Sequence, residues 1–260
     1  MGRCMARLLK KSTEVTLCGR SFRRAARVAK IVGVRVADID ICMLQSDILI
    51  AAVPPTSLPE LAGEASQHMR DGALFVDISS VKCGIVEEVT RLLPERLEYV
   101  SIHPLFASHR VGIKNVVIVP VRVRCWMDKF RELLLTCGMS VVECSAEEHD
   151  RAMATFQVLH HFAYLSLKGA LKRLGFEEKE SPFTTYSFKR TLAVLRLIEG
   201  NIQAIEEIQR RNKFSDDARR IFIEEAKRLD NLFRTPGICE PEGFRKNLGV
   251  PSGRNLKNYG

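Results

Sequence analysis

The sequence predicts an α/β fold: a parallel sheet flanked by helices, then an all-helical C-terminal part. From Glu14 to Cys144 short apolar runs alternate with helical patterns, as in a parallel sheet with crossover helices. At Ser145 the pattern changes. Ser145-Ala146-Glu147-Glu148 has capping-box spacing, with serine three residues before glutamate. Beyond it the chain reads helical almost throughout. These observations place a sheet domain at residues 1–144, a helical domain at 145–235 and an irregular tail at 236–260.

Taken in order, Glu14 to Cys18 reads as a strand and Phe22 to Val32 as a basic helix. Asp47 to Val53 is a strand stopped by Pro54-Pro55, and Leu58 to Met69 a helix opened by Thr56, Ser57 and Pro59. A strand at Ala73 to Asp77 leads to a helix at Gly84 to Leu93. Tyr99 to Ile102 and Val116 to Val121 are strands, Trp126 to Cys137 a helix, and Ser140 to Cys144 a last strand. In the second part, Asp150 to Leu174 is one long helix ended by Gly175. Ser181-Pro182 opens another, which runs past Arg196 and breaks near Gly200-Asn201. Ser215-Asp216-Asp217 caps a helix from Ala218 to Phe233, stopped by Thr235-Pro236-Gly237. From 238 on, Gly, Pro and Asn mark an irregular tail.

Apolar residues make up 46% of the 260, enough for a real core. No apolar run approaches the roughly 18 residues of a membrane span, and Leu8-Leu9 is no signal-peptide core. The eight cysteines include no Cys-x-x-Cys pair. They read as thiols of a reducing cytoplasm, with neither a disulfide frame nor a metal site. The net charge of +9 is spread along the chain. No aromatic residues interleave with it for base stacking, so most of it reads as a solvated basic surface, with an anionic small substrate and a phosphate-bearing cofactor, or nucleic acid, as the partners such a charge could also serve.

Two stretches concentrate chemistry. Asp77-Ile78-Ser79-Ser80-Val81-Lys82 ends one apolar run, and Ser101-Ile102-His103-Pro104-Leu105-Phe106 ends the next. Ligands of parallel sheets bind outside the carboxyl ends of strands, so a serine, a lysine and a histidine are expected at one crevice. Lys82 either orients the serine loop or starts the next helix.

Cofactor signals are partial. A dinucleotide unit opens strand–glycine turn–helix. Met1-Gly2-Arg3-Cys4-Met5-Ala6-Arg7-Leu8-Leu9 has the pattern of its last glycine and first helix. The preceding strand and first two glycines have no counterpart, so Met1 is expected to be an internal methionine of a longer protein. After the strand at Glu14 to Cys18 come Gly19-Arg20-Ser21, then Arg23 and Arg24. Arginine at this point accommodates a 2′-phosphate, whereas Asp or Glu binds the free 2′-hydroxyl. NADP is therefore favoured over NAD.

The ensemble resembles the prephenate dehydrogenase family. The resemblance rests on five stretches in register: the Ala51-Ala52-Val53-Pro54 strand end followed by Asp77 to Lys82; Ile102 to Phe106; Glu147-Glu148-His149-Asp150; Gln157-Val158-Leu159-His160-His161-Phe162; and Arg196-Leu197-Ile198-Glu199-Gly200-Asn201. It implies a Rossmann-like domain with a helical, dimerising domain. The implied reaction is NAD(P)-dependent oxidative decarboxylation of prephenate to 4-hydroxyphenylpyruvate in tyrosine biosynthesis. Arogenate is the alternative substrate, and a non-catalytic relative the alternative role. By the same resemblance His103 takes the hydroxyl proton, Ser80 orients that hydroxyl or the imidazole, and Arg196 binds a substrate carboxylate as a buried cation. His149 and His161 share a helix face and line the pocket or lie at the surface. Gly2, Arg20, Ser21, Arg24, Val53 and Pro54 contact the cofactor. A cytoplasmic homodimer with no membrane or nucleic-acid partner is implied. The family carries glycine where Ala107 stands, so the loop there is expected to differ.

Overall fold

The computed structural model describes residues 1–106, 112–177 and 182–234. Residues 1–215 form one compact unit, and those from Asp216 on a second. The first unit crosses the boundary expected at residue 144. Ala107, Ser181 and the tail from 236 lie outside the described residues.

The first unit begins with helix α1 (Gly2–Leu9), strand β1 (Thr16–Leu17), helix α2 (Phe22–Val32), strand β2 (Arg35–Val36) and helix α3 (Ile39–Gln45). Strand β3 (Ile48–Ala51), a 3₁₀ turn (Pro55–Ser57) and helix α4 (Leu58–His68) follow. Then come β4 (Leu74–Asp77), α5 (Cys83–Leu92), β5 (Glu98–Pro104), β6 (Asn115–Arg122), α6 (Trp126–Thr136) and β7 (Ser140–Glu143). Strands β1 and β2 pair in a small parallel sheet, and β3-β4-β5-β6-β7 form a second sheet in that order.

Side-chain alternation along β4 separates two cores. Leu74 and Val76 pack with Met5, Leu8 and Leu9 of α1 and with Phe130 and Leu134 of α6. Phe75, one residue out of phase, packs on the other face with Leu58, Ala62 and Ala65 of α4 and Ile85 and Val89 of α5. Helices thus cover both faces, which is why β4 and β5 are buried at every position.

Three features differ from the sequence expectation. The sheet is not wholly parallel: β5 and β6 run antiparallel, with His103 opposite Val117. Only ten residues lie between Pro104 and Asn115, and a parallel pair needs a long crossover. Strand β5 is also longer than expected, so His103 lies within it instead of after it. Strand β2 and helix α3 were not anticipated, because two residues of strand and seven of helix carry little periodic signal.

The helical part opens where the capping box predicts. In α7 (Ala146–Met153), Ser145 and Glu148 cap each other reciprocally. The long helix expected from Asp150 to Leu174 is interrupted by a π-helical segment (Ala154–Leu159) before α8 (His160–Arg173). The π-helical segment changes the rotation between His149 and His161, so the shared face expected of one continuous α-helix does not follow. Helices α9 (Tyr186–Glu199) and α10 (Ile202–Arg211) complete this unit. Thr185, beyond the expected Ser181-Pro182 start, is the α9 N-cap and accepts from Phe188 N.

Helix α11 (Ser215–Arg234) carries the second unit. Ion pairs of helical spacing line it, among them Arg220–Asp217 at 2.9 Å and Arg234–Asp230 at 2.8 Å. Among the described residues, no helix is long and apolar enough to cross a membrane.

Candidate active site

The site is built on the carboxyl ends of β4 and β5. Asp77 ends β4 and turns the chain sharply: its Oδ1 accepts Ser79 N–H at 2.9 Å and also receives the Ser79 hydroxyl. Tyr99 donates its hydroxyl to Asp77 Oδ2 at 2.8 Å. Lys82 is buried in the same cluster. Its ammonium donates to Ser79 O at 2.8 Å, Ser101 Oγ at 2.7 Å and Ile102 O at 2.7 Å, and lies 3.7 Å from Asp77 Oδ1. Three good acceptors match the three donors of an ammonium. Lys82 therefore ties the serine turn to β5. Its backbone is also the N-cap of α5, so both roles expected of it coexist.

Burial opposes ionisation of Asp77, yet the Lys82 charge and hydrogen bonds from Ser101 and Ser79 hold it below its ordinary value. Lys82 is pushed below its own ordinary value by burial, against the pull of Asp77 and Asp150.

His103 sits on β5 beside this cluster, 4% exposed. Its Nδ1 is 2.9 Å from His149 Nε2, and the rings meet edge to face with centroids 5.1 Å apart. His149 Nδ1 lies 2.8 Å from Asp150 Oδ1. Asp150 in turn accepts the backbone N–H groups of Lys82 and Cys83, each at 2.9 Å. A carboxylate at a helix N-terminus satisfies two otherwise unpaired donors and the dipole together. His103 is held well below an ordinary histidine by burial, then by the charges of Lys82 and His149. Burial lowers His149 too, although its bond to Asp150 opposes this. The result is a neutral imidazole at neutral pH, next to a fixed hydrogen-bond chain.

On the helical side, the π-helical turn exposes an opportunity. Gln157 Oε1 and His161 Nδ1 are buried and without hydrogen-bond partners. Such atoms each cost about 1–3 kcal/mol unless a ligand satisfies them, and π-helical turns concentrate at functional sites. His161 is pushed down to about 4 by burial and then by His160.

A cavity of 1040 Å³ opens between β1 and β3, the facing edges of the two sheets. Gly2, Arg20, Ser21, Arg24 and Val53 line it. Gly2 is required there: a Cβ would stand 2.9 Å from Ala52 Cβ. Ser21 caps α2 by accepting Arg24 N–H, which aims the helix N-terminus and two exposed guanidiniums at this region. The cavity and its cationic rim fit a phosphate-bearing nucleotide.

A model described as prephenate dehydrogenase, nucleotide-binding domain, matches residues 5–118. A second, described as prephenate dehydrogenase, dimerization domain, matches residues 145–242. The chain belongs to the prephenate dehydrogenase family. A probable arogenate/prephenate dehydrogenase of Methanocaldococcus jannaschii is 29% identical over 255 residues, covering 95% of this chain and 56% of that protein. The chain thus spans little more than half the length of this curated relative. Prephenate dehydrogenase from A. aeolicus, solved with hydroxyphenyl propionate and NAD+, superposes with a TM-score of 0.78 at 17% identity, covering 96% of this chain and 93% of that one. Synechocystis arogenate dehydrogenase gives 0.73 at 16% identity, with 96% and 93% covered. These structures share the Rossmann-like sheet and helical C-terminal region.

Within this prephenate dehydrogenase fold, the expected residues separate into groups. His103 joins the Asp77–Lys82 turn, which carries half-buried Ser80, in one cluster. His149 joins that cluster but not as expected: both its ring nitrogens are bonded within the protein, which leaves none for substrate. Arg196 is exposed on α9 instead of buried, because Leu195 and Ile198 occupy the helix's buried face. Pro54 does not line the nucleotide cavity; its carbonyl accepts Ser57 N–H in the turn after β3. Asp150 received no role from the sequence, although its place in the first turn of a capped helix beside a histidine was a usable signal.

Proposed function

We propose that this chain carries out NAD(P)-dependent oxidative decarboxylation of prephenate to 4-hydroxyphenylpyruvate, with arogenate as the alternative substrate. The observation that carries this reading is the buried, neutral His103 on β5, next to the serine turn and anchored by His149. A neutral imidazole can take the proton of the 4-hydroxyl as that carbon is oxidised. Ser80, half-buried in the adjoining turn, orients the hydroxyl. His161 and Gln157 offer their unpartnered polar atoms to the substrate. Arg196 meets a carboxylate at the open side of the site.

Gly2, Ser21, Arg20, Arg24 and Val53 hold the dinucleotide. When bound, its nicotinamide accepts the hydride. Arg20 and Arg24 favour NADP, since guanidiniums grip a 2′-phosphate by charge-assisted bonds worth about 1.5–3 kcal/mol. Arg24→Ala is therefore expected to weaken NADP binding by about tenfold or more and NAD binding little, as measured by nucleotide fluorescence titration. Equal losses for both would remove the 2′-phosphate contact.

Exposed apolar side chains on the helical part, including Phe156, Leu174, Tyr186 and Leu197, support a homodimer formed through that region. The deciding experiment measures reduction of NADP and NAD with prephenate and with arogenate. Turnover with neither substrate would overturn the reading. Arg196→Gln is expected to raise the substrate KM about tenfold or more with kcat nearly unchanged, as loss of one charge-assisted contact requires. An unchanged KM would reassign the carboxylate contact.

A further inference from the structure

We infer that His149 and Asp150 are positioning residues that lock His103 in the one neutral tautomer able to act as a base, a conclusion that rests on His103 being that base. The argument runs from the carboxylate inwards. Asp150 accepts two backbone N–H bonds at the α5 N-terminus, from Lys82 and Cys83. These fix its orientation and favour its ionised form, which only accepts hydrogen bonds. His149 Nδ1, 2.8 Å away, must then carry the proton. In the neutral ring this makes Nε2 an acceptor. His103 Nδ1, 2.9 Å from that nitrogen, must be the donor. The remaining nitrogen, His103 Nε2, then carries no proton, and among the described residues it has no hydrogen-bond partner for its lone pair.

In the reaction one proton moves, from the substrate hydroxyl to His103 Nε2: the O–H bond breaks and an N–H bond forms. The positive charge that appears on His103 is met through His149 by the Asp150 carboxylate. The other groups facing this chain are Lys82 and Asp77 at the serine turn and Cys144 at the start of α7. The Lys82 ammonium donates to Ser79 O, Ser101 Oγ and Ile102 O, so the tautomer is set by the Asp150–His149 link.

Nitrogen-15 NMR of the histidine-labelled protein reads the tautomer directly, without substrate or cofactor. The expected spectrum shows neutral His103 with its proton on Nδ1; a proton on Nε2 in the wild-type protein would overturn the inference. Asp150→Ala removes the acceptor of the His149 Nδ1 proton, so the His103 proton should no longer be confined to Nδ1 and kcat should fall about 10²-fold with little change in KM. A His103 proton still confined to Nδ1 in this folded variant would also overturn it. His149→Gln can still accept from His103 and donate to Asp150, so it should keep the tautomer and most of the turnover. His149→Leu should lose both. Equal losses for Gln and Leu would mean that His149 merely packs. Because the NMR readout needs no turnover, an inactive protein with the expected tautomers would count against the proposed reaction and leave the link standing.

Discussion

Replacing His103 with asparagine is expected to lower turnover by about 10²–10⁴-fold while leaving nucleotide affinity unchanged. The side chain is buried on β5 and the nucleotide cavity is lined from other elements, so the two effects separate. Steady-state kinetics with a parallel nucleotide titration checks this, and unchanged turnover would remove His103 from the chemistry. The wild-type pH profile carries a second signature. Burial, Lys82 and His149 hold His103 well below 6.5, so kcat/KM should stay level through 6.5 on the acid side and fall only well below it. The same shift affects folding. Between the folded and unfolded pKa values the unfolded chain binds more protons, so this histidine makes stability rise with pH through a window whose upper edge is 6.5. His149 acts in the same direction.

Replacing Lys82 with methionine is expected to destabilise the protein by about 3–5 kcal/mol, because a buried carboxylate then loses its counter-charge. Asp77 and Lys82 are both fully buried. Without the ammonium, Ser79 O, Ile102 O and Ser101 Oγ lose a donor, and Asp77 keeps its hydrogen bonds from Ser79, Ser101 and Tyr99 but loses the charge beside it. Urea unfolding would show a lowered midpoint at unchanged slope. A loss under about 1 kcal/mol would mean that Asp77 is neutral or reached by water. The pH dependence has a defined sign. Asp77 is depressed below 3.8 in the folded protein, so its contribution is present above 3.8 and is lost as pH falls through the folded value. That acid-side loss should be absent in the methionine variant, whose Asp77 has no cation to hold it ionised.

Most of the architecture was legible because it follows from local periodicity. The basic helix at Phe22–Val32 and the capping box at Ser145 stand where the residue pattern puts them. The antiparallel β5–β6 pair was legible in principle from the short connection, but strand-and-helix alternation elsewhere masked it. The π-helical segment at Ala154–Leu159 was not legible, since its residues have ordinary helical propensity and the wider turn is selected by packing. Val158, for example, is buried there and its carbonyl accepts from Gln209 of α10.

By itself, the sequence determined the alternation of strands and helices, the change to an all-helical part at Ser145, and the strand-end stretches that carry Ser80, Lys82 and His103. Those properties depend on neighbours within a few residues, where backbone geometry dictates which side chains share a face. Tertiary structure alone decided that His149 turns inward to His103, that Asp150 anchors both to the start of α5, and that Arg196 faces outward. The links from Asp150 to Lys82 and from His103 to His149 join residues 68 and 46 positions apart. Contacts at that separation form only when β5, α5 and α7 pack together. Hydrogen-bond direction then assigns each nitrogen its role, which no spacing in the chain encodes.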